Sequence, residues 1–201
     1  MEEKFNKLLE ICFKFYGHKC PAIPLGIKAG LVALKRLGAE DIPGKELYCI
    51  AETGPVHAMH CFVDGVQVST ACSFGEGNFE KTNWGKLAFT LIYLTGKKSV
   101  RVVIKPEIQK GILLSEFINL RSQGKEPEDI SPEIVNPLVQ LVRTLPYSEL
   151  MTVGKIKETD FTPPKGTFDC FICEECGECV FENATRYKNG QSICQSCFNS
   201  F

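Results

Sequence analysis

The chain is poor in histidine, with only three, and none lies beyond residue 60. It also has no cysteine between residues 73 and 169. Imidazole chemistry is therefore confined to the first third of the protein. No apolar stretch approaches the roughly twenty residues a membrane-spanning helix needs; the longest runs from about Leu87 to Leu94. Neither sign of charge dominates: 23 Lys and Arg face 24 Asp and Glu, a formal net charge of −1. No global field draws such a chain to nucleic acid or to an anionic membrane. Met1-Glu2-Glu3-Lys4 leads directly into an amphipathic pattern without the apolar stretch of a secretion signal, which predicts a cytoplasmic protein. Low-complexity tracts are absent, and the cysteine pairs are the only internal repeat.

What the chain does have is eleven cysteines. In a reducing compartment these serve as metal ligands or reactive thiols rather than as a disulfide framework. Cys12, Cys20, Cys49, Cys61 and Cys72 lie in the first part of the chain, and the other six follow residue 169. This division predicts two sites.

Residues 2–16 carry Phe5, Leu8, Leu9, Cys12 and Phe13 at helical spacing, ended by Gly17. Pro21 then stands where a first-turn proline is tolerated. Ile23, Ile27, Leu31, Leu34 and Leu37 form the apolar stripe of a second helix closed by Gly38. Gly26 and Gly30 share one face of that helix, which suits close backbone packing. Leu47–Ala51 reads as a short buried strand. Alternation over Leu87–Tyr93 and Val100–Ile104, with Thr95-Gly96-Lys97-Lys98 between, reads as a β-hairpin. Further helices are predicted near 110–123 and 132–145; Ser131-Pro132 is a good start for the second, and Pro137 shifts or kinks it. Helices and strands in mixed order predict an α+β fold, helices packed on a mixed or antiparallel sheet, with a small C-terminal zinc ribbon. The expected division is a domain over 1–160, a linker over 161–168 around Thr162-Pro163-Pro164, and a ribbon over 169–201.

The ribbon carries the most specific motif. Cys173-x-x-Cys176 and Cys194-x-x-Cys197 are separated by seventeen residues, within zinc-ribbon spacing. Each Cys-x-x-Cys turn offers two thiolates to a tetrahedral ion. Gly177 follows Cys176 where the chain must turn sharply, and Lys188-Asn189-Gly190-Gln191 signals a hairpin. So short a segment cannot bury enough apolar surface to fold unaided, and the metal must contribute stability. Cys170 with Cys173, or Cys176 with Cys179, are alternative first pairs, and six thiols also suit an iron–sulfur cluster. Residues 169–201 hold five acidic and two basic residues, the wrong sign for phosphate. A structural ribbon, or one that docks a protein partner, is therefore favoured over nucleic-acid binding.

The N-terminal cluster is His18 and Cys20 at a helix start, followed by His57, His60, Cys61, Asp64 and Cys72. A helix N-terminus depresses the pKa of a nearby thiol. His and Cys converging from two segments can build a transition-metal or catalytic site, although satisfied histidines and small buried cysteines fit the spacing equally well.

These residues resemble the E-subunit family of formylmethanofuran dehydrogenase. The resemblance rests on Gly17-His18-Lys19-Cys20-Pro21 leading into Leu25-Gly26, on Cys61-x-x-Asp64-x-x-Gln67, and on Cys72-x-x-Gly75-x-Gly77-Asn78. Gly85-Lys86-x-Ala88-Phe89 and the Cys173–Glu178 stretch extend it over almost the whole chain. Two departures stand out. Thr53–His60 is longer and richer in histidine than is usual, leaving open whether His60 joins the site, and Ala71 stands where glycine is common. The resemblance implies that His18, Cys20, Cys61 and Cys72 line one pocket for zinc or another transition metal, with Asp64 and Gln67 beside them; Cys20 and Asp64 are the catalytic candidates. It further implies an accessory role beside a molybdenum or tungsten enzyme, and a homodimer, which the Gly26/Gly30 face also suggests. Rival readings are a stand-alone zinc or redox-thiol enzyme acting on a small molecule, and a regulatory ribbon protein. No molybdopterin, flavin or nicotinamide motif is present; Gly75-x-Gly77 lacks the strand–turn–helix context of a dinucleotide fold.

Overall fold

The second helix organises the protein. In the computed structural model, which describes residues 2–55 and 57–199, α1 spans Glu2–Tyr16 and α2 spans Ala22–Leu37. Thirteen of the sixteen residues of α2 are buried. A helix apolar on every side must be enclosed on every side. β1 (Leu47–Ala51), α3 (Phe62–Thr70), β2 (Phe79–Lys81), β3 (Ala88–Tyr93) and β4 (Lys98–Ile104) follow. Then come α4 (Pro106–Leu113), α5 (Glu116–Ser122), α6 (Pro132–Thr144), α7 (Tyr147–Leu150), β5 (Met151–Val153) and β6 (Lys157–Glu158). These elements form one compact unit over Met1–Thr162; a second covers Pro163–Phe201. Residues 159–169 contain no helix or strand. Among the described residues no helix is long and apolar enough to cross a membrane.

The sheet is mixed, in the order β2-β1-β3-β4-β5, with β6 also pairing β4. β1 and β2 run parallel and the other pairs antiparallel. The alternation seen in the sequence is the hairpin β3–β4, paired from Ala88↔Val103 to Tyr93↔Lys98. The helix expected over 110–123 is two helices. The chain breaks at Leu114, and Ser115 caps α5 by accepting a bond from the Ile118 amide, an N-cap that starts a new helix inside an apolar pattern. α6 runs through Pro137 without interruption.

The Gly26/Gly30 face is filled from within the chain. A Cβ on Gly26 would fall on the Phe62 carbonyl oxygen, one on Gly65 would meet the Ile23 carbonyl oxygen, and one on Gly30 would meet Ser69 Oγ. α2 and α3 therefore cross backbone to backbone. That face is covered and offers nothing to a second protomer. Lys28, the charged residue within α2, donates to the carbonyls of Val142, Arg143 and Leu145 and so satisfies the C-terminal end of α6.

In the second unit, β7 (Cys170–Ile172) pairs with β8 (Cys179–Phe181). β9 (Thr185–Lys188) pairs with β10 (Gln191–Cys194), and α8 covers Gln195–Asn199. Asn189 and Gly190 turn the second hairpin at φ +53° and +81°, the two positive angles that a two-residue type I′ turn requires.

Candidate metal and thiol centres

The first centre is built where α2 and α3 begin. Gly17, at φ +75°, ends α1, and the following residues turn Cys20 into the start of α2. Cys61 immediately precedes α3. Because the glycine contact holds the two helices together, their starts adjoin, and Cys20 Sγ lies 2.7 Å from Cys61 Sγ. The amides of Ala22 and Ile23 also point at Cys20. The Cys61 thiol as donor, with these amides, lowers the Cys20 pKa, while the same hydrogen bond and burial raise that of Cys61. One sulfur is thus disposed to be a thiolate and the other to keep its proton.

Both sulfurs face a cavity of about 510 Å³ that is also lined by His18, His60, Tyr16 and, from α5, Arg121. His18 Nδ1 lies 3.1 Å from Glu128 Oε1. A carboxylate there assigns the proton to Nδ1 and leaves Nε2 with a lone pair. His60 Nδ1, 2.7 Å from the His57 carbonyl oxygen, is placed the same way. His57 is spent structurally: Nε2 accepts from the Gly54 amide and Nδ1 bonds the Ala58 carbonyl. Asp64 accepts from the Tyr16 hydroxyl at 2.5 Å and from Gln67 Nε2 at 3.2 Å. Burial and this bond to Asp64 raise the Tyr16 pKa, and burial with the Asp64 charge raises Cys12 to about 11.

Cys72 does not line this cavity. Cys61 and Cys72 stand beyond opposite ends of the nine-residue α3, separated by about 14 Å of helix. They cannot share one ion. Cys72 is fully buried within electrostatic reach of Cys49, and burial raises its pKa to about 11. The pocket grouping of His18, Cys20, Cys61 and Cys72 therefore splits: the first three line one cavity and the fourth is in the core. The partners that orient the histidines were not visible in the sequence. Glu128 is 110 residues from His18, and no local spacing announces it.

The second centre is tighter. The sulfurs of Cys173, Cys176, Cys194 and Cys197 all lie within 4.8 Å of one another, and among the described residues no other group of three or more His, Cys, Asp or Glu is so gathered. Gly177, at φ +75°, donates its amide to the Cys173 carbonyl at 2.9 Å and closes the first turn. The amides of Cys194 and Cys197 point at Cys173 Sγ and Cys194 Sγ. Donation from backbone amides, chiefly those of Cys176 and Cys194, lowers the Cys173 pKa to about 6. Four thiols so gathered suit a tetrahedral ion with metal–sulfur distances of about 2.3 Å. Cys170 and Cys179, the alternative ligands, are exposed and outside this group.

Residues 15–152 match the family model described as FmdE, molybdenum formylmethanofuran dehydrogenase operon. The chain belongs to the FmdE family. The matched segment covers α2, the sheet and the Cys20/Cys61 cavity, and stops before the ribbon. The FmdE fold is also seen in the crystal structure of an FmdE-like protein of tungsten formylmethanofuran dehydrogenase from Syntrophus aciditrophicus. That structure aligns with a TM-score of 0.60 at 21% identity, over 97% of this chain and 92% of the other. A protein of Archaeoglobus fulgidus described as a probable S-adenosyl-L-methionine-binding protein is 28% identical over 214 residues, covering 100% of this chain and 55% of its own length. The chain thus spans about half of that relative.

Proposed function

We propose that this FmdE-family chain is an accessory metalloprotein with one ion in each unit. In the first unit, Cys20 and Cys61 supply thiolates, and His18 and His60 supply Nε2, to zinc or another transition metal. The carrying observation is the Cys20–Cys61 pair at 2.7 Å on the wall of a cavity beside a histidine whose Nδ1 is held by Glu128. Carboxylate-oriented imidazole beside thiolates is a donor set that soft and borderline metals accept. When bound, such an ion supplies Lewis acidity or an activated water. The residues' own part is to hold the donors, with Glu128 fixing the His18 tautomer and Tyr16 held against Asp64. His60 takes the place that the family resemblance gave to Cys72.

In the second unit the four-cysteine group holds a structural zinc, closed to chemistry because every ligand is protein. Its exposed Phe171, Ile172 and Phe181 form an apolar surface for docking a partner protein. A cytoplasmic homodimer completes the reading, with exposed Ile11 and Phe15 on α1 as its apolar contact; light scattering showing a monomer at high concentration would remove it.

Metal analysis tests the core of the proposal. The reduced wild type should carry about two ions per chain, one for each donor set. Cys61→Ala should lose the first ion and keep the ribbon folded, Cys194→Ala should do the reverse, and Cys72→Ala should keep both. One ion per chain, lost only with Cys194→Ala, would refute the first site.

A further inference from the structure

The same two sulfurs have a second chemistry open to them. We propose that Cys20 and Cys61 are a dithiol–disulfide couple that exchanges with low-molecular-weight disulfides entering the cavity. The proposal concerns the sulfurs of the metal reading and rests on it only for what oxidation does to the ion.

Three observations carry it. The pair lies at 2.7 Å, inside non-bonded sulfur contact, and needs about 0.7 Å of closure to reach a bond of about 2.05 Å. The pair opens on a cavity of about 510 Å³, which gives a small disulfide access to Cys20; Cys49 and Cys72 are also neighbours but are fully buried. The two sulfurs are also unequal. The amides of Ala22 and Ile23 and the Cys61 thiol all point at Cys20, so Cys20 is the attacking sulfur and Cys61 the resolving one.

The exchange balances without another reagent. Cys20 thiolate attacks one sulfur of R–S–S–R, forming Cys20–S–S–R and releasing R–S⁻. Cys61 then gives up its proton and attacks Cys20 Sγ, forming the Cys20–Cys61 bond and releasing the second R–S⁻. The two R–S⁻ groups take up the two protons that the protein thiols lost. The protein is oxidised by two electrons and the small disulfide is reduced to two thiols. With both thiolates consumed, the first unit loses half of its donors and releases its ion, while the ribbon has no part in the exchange.

The test uses the reduced full chain and hydroxyethyl disulfide, followed by alkylation, peptide mapping by mass spectrometry and metal analysis. The expected product is a Cys20–Cys61 cross-link reversible by dithiothreitol, with about one of two ions released. In Cys61→Ser, Cys20 should instead accumulate the hydroxyethyl mixed disulfide. In Cys20→Ser, Cys61 should remain free. Cys20 and Cys61 both staying alkylatable after Cys170 and Cys179 have reacted would overturn the proposal. So would equal adduct formation on the two single variants. The metal reading fails separately: a cross-link in a protein whose reduced form holds only the ribbon ion would sink the first-unit ion and leave the redox couple standing. An ion in the first unit without a cross-link would do the opposite.

Discussion

Gly26 of α2 and Gly65 of α3 meet with no side chain between them, each lying where a Cβ would strike the other helix's backbone. The contact is structural, yet it sets the spacing of Cys20 and Cys61, which stand at the starts of the same two helices.

Gly26→Ala should therefore act on both. Overpacking of this kind costs about 1–3 kcal/mol, read as a lower denaturant midpoint with an unchanged slope. The same variant should also hold the first-unit ion more weakly. Loss of stability with unaltered metal affinity would show that the two helix starts are set independently of the crossing.

Glu128 touches the cavity only through His18 and is itself 56% exposed, so Glu128→Gln should fold normally. Removing the group that orients a metal-binding imidazole typically lowers affinity 10–100-fold. Competition with a chromophoric chelator should find that loss in Glu128→Gln and none in Glu126→Gln.

Acid should destabilise the first unit through Glu52. Its buried carboxylate accepts from Arg101 Nε at 2.5 Å and from Nη2 at 2.7 Å, and these bonds hold its pKa below the usual value. The unfolded chain then binds more protons in acid. The contribution is complete above the unfolded carboxyl value of about 4.3 and is lost as pH falls below it towards the folded value. Arg101→Met should cost about 1–3 kcal/mol at neutral pH by leaving the carboxylate short of partners, and should flatten that acid dependence. Melting curves between about pH 3 and 7 decide the matter; a variant whose acid slope matches wild type would contradict the assignment.

Ala71 closes α3 at φ +57°, a left-handed position that costs a non-glycine residue about 1–2 kcal/mol. Its side chain is exposed, so Ala71→Gly forfeits no packing. Allowing for the greater freedom of glycine in the unfolded chain, the variant should gain about 0.5 kcal/mol, seen as a small rise in melting temperature. Unchanged or lowered stability would show that the strain is relieved elsewhere.

Local chemistry made much of this legible beforehand. The apolar stripe of α2, the alternation of β3 and β4, and the Asn189-Gly190 turn each carry their instruction within a few residues. So do the ribbon's cysteine pairs, whose ligating set appears in the structure as Cys173, Cys176, Cys194 and Cys197. The first centre was half legible. His18, Cys20 and Cys61 could be named from composition and resemblance, but placing Cys72 with them required Cys61–Gln67 to be something other than helix. Phe62, Val63 and Val66 point into the core, and Gly65 is there for α2 rather than for a turn. Once α3 forms, its length parts the two cysteines. The pairing of His18 with Glu128 depends on how the segment after α5 returns, and no short-range pattern encodes that.

The outer flank of the hairpin has a further consequence. β4 is the longest strand of the sheet and carries Val100, Val102, Val103 and Ile104. Its far side is covered by the three residues of β5 and the two of β6. A chain cut before Met151 would leave that row of amides and carbonyls open along a β-branched strand, a ready template for pairing with another molecule. Such a fragment should aggregate edge to edge even with every residue of the Cys20/Cys61 cavity in place. The last few residues before the linker thus act as a guard against self-association, although they touch neither sulfur centre.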